Sequence, residues 1–254
     1  MLVSERHQYI LQRLKQDGRV VAKAISQELD VSEDTIRRDL RELASEGLLQ
    51  RVHGGALPAS PAMGNFAQRE TIHPQAKVAI GRKAASLIQP GQVIMLDGGT
   101  TAVQVARHLP PQLTATIVTH SPSIAVELVN HPHVDVILIG GRLFKHSIVS
   151  VGAAAIEAIQ RVRADLYFMG VTGIHPEVGL STGDYEEARV KHALSRQAAD
   201  TVVLASEEKL GAASPYVIIP LTAASALIVN QTVPESVLLP YAEVGLDIIV
   251  AASS

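Results

Sequence analysis

The sequence predicts two joined folds: an N-terminal winged helix-turn-helix (α+β), then a larger α/β domain on a largely parallel, Rossmann-like sheet. Three patterns carry this. Apolar residues near the N-terminus recur at helical spacing in three short segments. A short apolar strand then closes on His53-Gly54-Gly55. Past a stretch rich in Pro, Ala, Ser and Gly, continuous apolar runs alternate with amphipathic ones, the pattern of a sheet covered on both faces.

In the first domain, Ile10, Leu11 and Leu14 mark one helix, which Gly18 stops. Val21, Ile25 and Leu29 mark a second, and Asp30-Val31-Ser32 is a tight connection to a third. Ser32 suits an N-cap, with Glu33 and Asp34 at the positive end of the dipole. Ile36, Leu40 and Leu43 form the buried stripe, so Thr35, Arg37, Arg38 and Arg41 point elsewhere. A short polar residue and three guanidinium groups on the open side of a helix suit a DNA major groove, where arginine bonds guanine bidentately or clamps a phosphate. Leu48–Val52 reads as the wing strand, carrying Arg51 and His53 toward the backbone or minor groove.

Through Leu57 the chain has nine basic and nine acidic residues. A neutral domain gains little non-specific attraction to DNA, so double-stranded operator DNA is expected to meet a dimer or larger homo-oligomer. The whole chain has 254 residues, a net charge of -3 and 47% hydrophobic residues, enough for one small and one larger domain. No cysteine is present, which excludes disulfides, thiolate metal sites and cysteine nucleophiles. No apolar run reaches membrane-spanning length. A cytoplasmic protein is expected. Aromatics are only 3%, so a ligand site would rely on polar and backbone groups. The domains are expected at 1–57 (motif about 20–39), a linker at 58–74 and the second domain at 75–254.

Expected strands of the second domain are Val93–Leu96, Ala115–Thr119, Val134–Ile139, Leu166–Met169, Thr201–Ala205, Ala226–Val229 and Asp247–Val250. Helices are expected at Gln75–Ile88, Thr101–Leu109, Ser121–Asn130, Val149–Arg161, Tyr185–Ala199 and Pro234–Val244. Parallel sheets bind ligands at the carboxyl ends of their strands. There stand Asp97-Gly98-Gly99-Thr100-Thr101, Thr119 with Ser121, Gly140-Gly141, Gly170–Gly173 and the Ser206–Gly211 turn with Lys209. Glycines, hydroxyls and a cation at successive strand ends suggest a convergent anion site.

Thr35-Ile-Arg-Arg-Asp-Leu40 and Arg51-Val-His-Gly-Gly-Ala56 resemble the two signatures of DeoR-type bacterial transcriptional regulators, over roughly residues 3–58. From about Arg69 to Gly211 the second domain resembles that family's sensor domain, whose fold is shared with ribose-5-phosphate isomerase and CoA-transferases. The resemblance implies a repressor of a carbohydrate-metabolism operon. It implies control by a phosphorylated sugar or related metabolite bound at Asp97, Gly98, Gly99, Thr100, Thr101, Thr119, Ser121, Gly140, Gly141 and Lys209. It departs from the family pattern at His120 (usually Asn) and Ser206 (commonly Asp).

Two alternatives remain beside it: a sugar-phosphate isomerase-like enzyme and a ligand-independent DNA binder. An isomerase needs a carboxylate base, and the candidates are Asp97, Asp165, Asp184, Glu186 and Glu187. Gly140-Gly141 is followed by Arg142-Leu-Phe-Lys-His without an acid, and Glu187 with Lys191 reads as an ordinary surface pair. No catalytic residue, cofactor or metal is therefore expected. His131-Pro-His133 is the one tight histidine pair and lacks a nearby third ligand beyond Asp135.

Overall fold

The computed structural model describes residues 1–252. Its first domain runs α1 (Val3–Asp17), β1 (Val20–Val21), α2 (Ala22–Glu28), α3 (Glu33–Ser45), β2 (Leu49–Val52) and β3 (Gly55–Pro58). Gly18 ends α1 in the left-handed region. The Ser32 hydroxyl accepts the Thr35 N–H and caps α3. Ile10, Leu14, Ile25, Ile36, Leu40 and Leu43 share one small core, so helical spacing located all three helices. Val20 and Val21 differ from the expectation: they pair with Ala56 and Gly55, making a three-stranded sheet in the order β1-β3-β2. That pairing explains Gly55, because a Cβ there would lie 1.9 Å from the Val20 carbonyl oxygen.

The segment expected as a plain linker is structured. It holds a 3₁₀ turn at Pro61–Met63 and α4 (Phe66–Glu70), whose Asn65 and Gln68 cap each other. It lies on the second domain: the Ala213 N–H donates to Pro58, and the Phe66 N–H to His146, at 3.2 and 2.9 Å.

The second domain continues α5 (Pro74–Ala85), β4 (Val93–Leu96), α6 (Thr100–Arg107), β5 (Ala115–Thr119), α7 (Pro122–Leu128) and β6 (Val134–Leu138). There follow β7 (Arg142–Phe144), β8 (Val149–Val151), α8 (Ala153–Ile159), β9 (Ala164–Gly170), β10 (Gly173–His175), β11 (Gly179–Thr182) and α9 (Tyr185–Ser195). The chain closes with β12 (Ala198–Leu204), β13 (Tyr216–Ile219), β14 (Ala226–Asn230), α10 (Glu235–Glu243) and β15 (Asp247–Ala251). All seven expected strands form one sheet in the order β15-β14-β12-β9-β4-β5-β6, and every pairing within it is parallel. Alternation sends Ile94 and Leu96 to the core beneath α5 and α6, and Met95 to the core beneath α8 and α9. Val149–Arg161 is not one helix: Val149–Val151 pairs with β7, and Gly152 starts α8. The expected helix over Tyr185–Ala199 stops at Ser195, because Ala198 already pairs with Ala164. No helix among the described residues is long and apolar enough to cross a membrane.

Strand order places the ligand end. From β4 the chain proceeds to β5 and β6 on one side, while its other neighbour, β9, leads to β12, β14 and β15. The crevice at the carboxyl ends of β4 and β9 is therefore the topological switch point of the sheet.

Candidate DNA-reading surface and anion pocket

Thr35, Arg37, Arg38 and Arg41 lie on the outer side of α3, away from Ile36, Leu40 and Leu43. Arg37 pairs with Glu33 at 2.8 Å, and Arg41 Nε donates to the Arg37 carbonyl. The side chains of Arg38, Arg51 and His53 are exposed and have no hydrogen-bond or ion-pair partner among the described residues. A groove between α3 and the wing brings Arg37, Arg51 and His53 together over Ala22 and Leu40. Ser32 is engaged in its cap and sits 2.9 Å from the Thr35 hydroxyl.

Asp39 has a role that periodicity did not suggest. It is buried, and Arg6 of α1 clasps its two oxygens at 2.5 and 2.8 Å. The pair ties α3 to α1.

At the switch point, Gly99 has φ +112° and begins α6, a backbone state that side chains rarely adopt. Gly98, Gly99, Thr100 and Thr101 line one pocket, and Lys209 reaches it from the turn after β12. Lys209 is 6% exposed, and its ammonium has no partner among the described residues. Burial, only partly offset by Glu208, pushes its pKa down to about 8. The Thr101 hydroxyl is also buried without a partner. The pocket thus pairs helix N–H groups with a desolvated cation.

Thr172 and Glu208 reach the wall from the Gly170–Gly173 and Ser206–Gly211 turns, whereas Arg69, Lys77, Thr182, Glu187 and Lys191 were not expected in the site. Burial lowers the pKa of both Arg69 and Lys77. Lys77 was open to discovery, since it shares the buried face of α5 with Gly81 and Ala84. Glu187 and Lys191 are a correction. Their spacing read as a surface pair, but both are buried, and Lys191 contacts Asp97 Oδ2 at 2.5 Å and Glu187 at 3.6 Å.

Asp97 lies beneath the pocket rather than on its wall. It accepts the N–H groups of Gly98 and Gly170, each at 2.8 Å, and contacts Lys191 and His120. Burial alone would raise its pKa, but Lys191 and His120 outweigh that and hold it far below the carboxylate range. His120 bridges strands: Nε2 is 2.8 Å from Asp97, and Nδ1 is 3.0 Å from the Ser150 carbonyl. The Thr119 hydroxyl accepts the Ser121 N–H, and Ser121 Oγ donates to Ile148. Neither residue lines the pocket, nor do Gly140 and Gly141. Gly141 instead lets the chain pass close to the Val151 carbonyl. Ser206 is buried, its hydroxyl donating to Glu208 at 2.7 Å.

Comparison with known proteins accounts for both halves. Residues 6–61 match the DeoR-like helix-turn-helix domain, and residues 72–231 match the DeoR C-terminal sensor domain. Over 215 residues the chain is 39% identical to the HTH-type transcriptional regulator GlpR of Haloferax volcanii, covering 83% of each chain. Over 212 residues it is 33% identical to the glycerol-3-phosphate regulon repressor of Escherichia coli, covering 83% of this chain and 84% of that one. Among solved structures, ribose 5-phosphate isomerase A of Methanocaldococcus jannaschii aligns over 52% of each chain at 19% identity, with a TM-score of 0.39. The chain belongs to the DeoR family of DNA-binding transcriptional regulators.

Proposed function

We propose that this regulator represses a carbohydrate-metabolism operon in the cytoplasm and that a phosphorylated sugar releases it. One observation carries the effector reading: Lys209, buried and unpaired, faces the glycine-threonine start of α6. A buried ammonium without a counter-ion is costly, and a phosphate supplies the missing charge. In this reading Gly98, Gly99, Thr100, Thr101 and Lys209 hold the phosphate, with Lys191 and Lys77 adding positive potential. Asp97, with His120, Thr119 and Ser121 below it, keeps the loop in shape, while Gly140 and Gly141 bound the neighbouring turn. The alternative of ligand-independent DNA binding has no use for such a pocket.

In DNA, Thr35, Arg37 and Arg38 read the major groove, while Arg41, Arg51 and His53 meet the backbone or minor groove. The neutral winged domain supports a homo-oligomer. Val126, Val129, Ile137 and Leu138 form exposed apolar surface at the β6 edge and offer a contact. Calorimetric titration of a sugar-phosphate panel into wild type, Lys209→Ala and Thr100→Ala tests the site. Operator binding with and without the tightest ligand tests the switch. A ligand held equally by all three proteins refutes the site, and one that leaves operator affinity unchanged refutes the switch.

A further inference from the structure

Arg69 is carried by α4, outside the sheet, yet two cavities meet at it. The inner one, over the start of α6, has about 30 Å³ of free space, room for about two waters. The outer one, beside Met63, Phe144 and His146, has about 160 Å³. Arg69 and Glu187 line both and so form part of the partition. A sugar phosphate does not fit the inner space as it stands.

The walls differ in how firmly they are held. The ends of β4, β9 and β12 are fixed in the central sheet. Residues 61–73 join no sheet. They are held by the Phe66 N–H to His146, by His146 Nε2 at 3.1 Å from the Met63 carbonyl, by Arg69 to Ser147 at 3.2 Å, by His73 to Glu207 at 3.0 Å, by the Lys77 ammonium donating to the Arg69 carbonyl, and by Phe66 packed on the core under α5 and α6. Just before them, Ser60 donates to the Thr172 carbonyl. Arg69 Nε is buried with no acceptor, a donor ready for an incoming anion.

We propose that residues 61–73 form a strap that closes the anion pocket, supplies Arg69 to the ligand phosphate and must lift for the ligand to enter. This rests on the anion-pocket reading above. The phosphate takes the inner end, against α6 and Lys209. When the Arg69 side chain turns, the two cavities join and the sugar occupies the outer one. Only Ala59 and Ser60 separate the strap from wing strand β3, which ends at Pro58. Lifting the strap therefore moves the attachment of the DNA-reading domain.

The chain has no cysteine, so Thr101→Cys places a single thiol in the inner cavity. The Thr101 hydroxyl has no partner, so the exchange breaks no hydrogen bond. The full-length protein is treated with an anionic methanethiosulfonate reagent, and the modification rate is compared with that after adding Ser60→Ala and His146→Ala. The strap predicts at least a ~10-fold faster reaction in the loosened protein, since the intact chain reacts only when the strap opens. Equal rates in folded proteins overturn it. If thermal melting shows the double substitution to be unfolded, Ser147→Ala, which frees Arg69, replaces it under the same criterion. A cationic reagent of similar size separates the two ideas. Loosening that speeds both reagents, with no preference for the anion, leaves the strap standing and removes the anion-pocket reading. A preference for the anion without an effect of loosening does the reverse.

Discussion

The two domains each gather cations, but they treat them in opposite ways. On α3 and the wing, Arg37, Arg38, Arg41 and Arg51 stay in water, and the domain's buried charge is confined to the clasped pair Arg6–Asp39. In the sensor domain, Lys77, Lys191 and Lys209 are buried and Arg69 is partly so. Lys191 is answered by Asp97, whereas Lys209 has no carboxylate partner. The DNA-reading charges cost the fold little and can meet any phosphate. Of the sensor charges, Lys209 weakens the ligand-free fold, and in the proposed reading an anion compensates it. The DNA-reading surface and the proposed anion pocket thus differ in desolvation more than in residue type.

The largest expected effect asks whether the two buried aspartates are equivalent. Asp97→Ala leaves Lys191 and His120 facing a void and should cost roughly 3–5 kcal/mol, as for a broken buried pair. Asp39→Ala, which strands Arg6, should cost the same at most, because Arg6 is 8% exposed, against 3% for Lys191 and 0% for His120, and its long side chain reaches water more readily. Urea denaturation of both variants checks this. A smaller loss for Asp97→Ala than for Asp39→Ala would reverse the order of the two networks.

The next effect is a difference in kind. Lys209→Met should cost about 1.5–3 kcal/mol of ligand affinity, a loss of about 10–100-fold, while raising the melting temperature of the ligand-free protein. Arg38→Ala should cost roughly 1–3 kcal/mol of operator affinity with little change in melting temperature. Melting curves and titrations on the same two variants measure all four values. A less stable Lys209→Met would mean that the lysine is already satisfied in the free protein.

A pH series sharpens the same contrast. Folding lowers the Lys209 pKa to about 8, so its destabilising effect acts below about pH 8 and fades as pH rises toward its ordinary value. A bound anion favours the charged form, so ligand affinity should fall as pH rises above about 8, by at most about tenfold per unit. A sugar phosphate is already dianionic there, with a second pKa near ~6. Arginines do not titrate in this range, so operator binding should stay level. Calorimetry and operator binding at pH 7, 8 and 9, with pH as the control variable, decide it. Ligand affinity that stays level across the series would remove Lys209 from the site.

The smallest expected effect belongs to the helix cap. Ser32→Ala removes the acceptor of the Thr35 N–H and should cost about 1 kcal/mol of stability in the winged domain alone. Hydrogen exchange at α3 should report it, while the sensor domain stays unchanged.

Much of the DNA-reading half was legible because its signals are local. A cap, a 3.6-residue stripe and a glycine turn each report on residues a few positions apart, and Ile36, Leu40 and Leu43 packed as their spacing required. The seven parallel strands were legible for the same reason, each being a short apolar run. Short paired segments such as Val149–Val151 were absorbed into helices, since three residues carry too little period to distinguish a strand. The site was half legible. Gly98–Thr101 and Lys209 stood out at strand ends, but Asp97 looked like a ligand-facing acid and proved to be a buried anchor.

By itself the sequence determined where the helices and strands form, which face of α3 is open, and that the sheet presents its glycine turn at a ligand end. Tertiary structure alone decided which charges meet. Arg69 and Lys77 come from the chain before the sheet, Lys191 from α9 and Lys209 from the turn after β12. A residue's period reveals which side of its own element it occupies. Its solvation and its charge partner depend on what remote elements pack against it, and no local pattern records that.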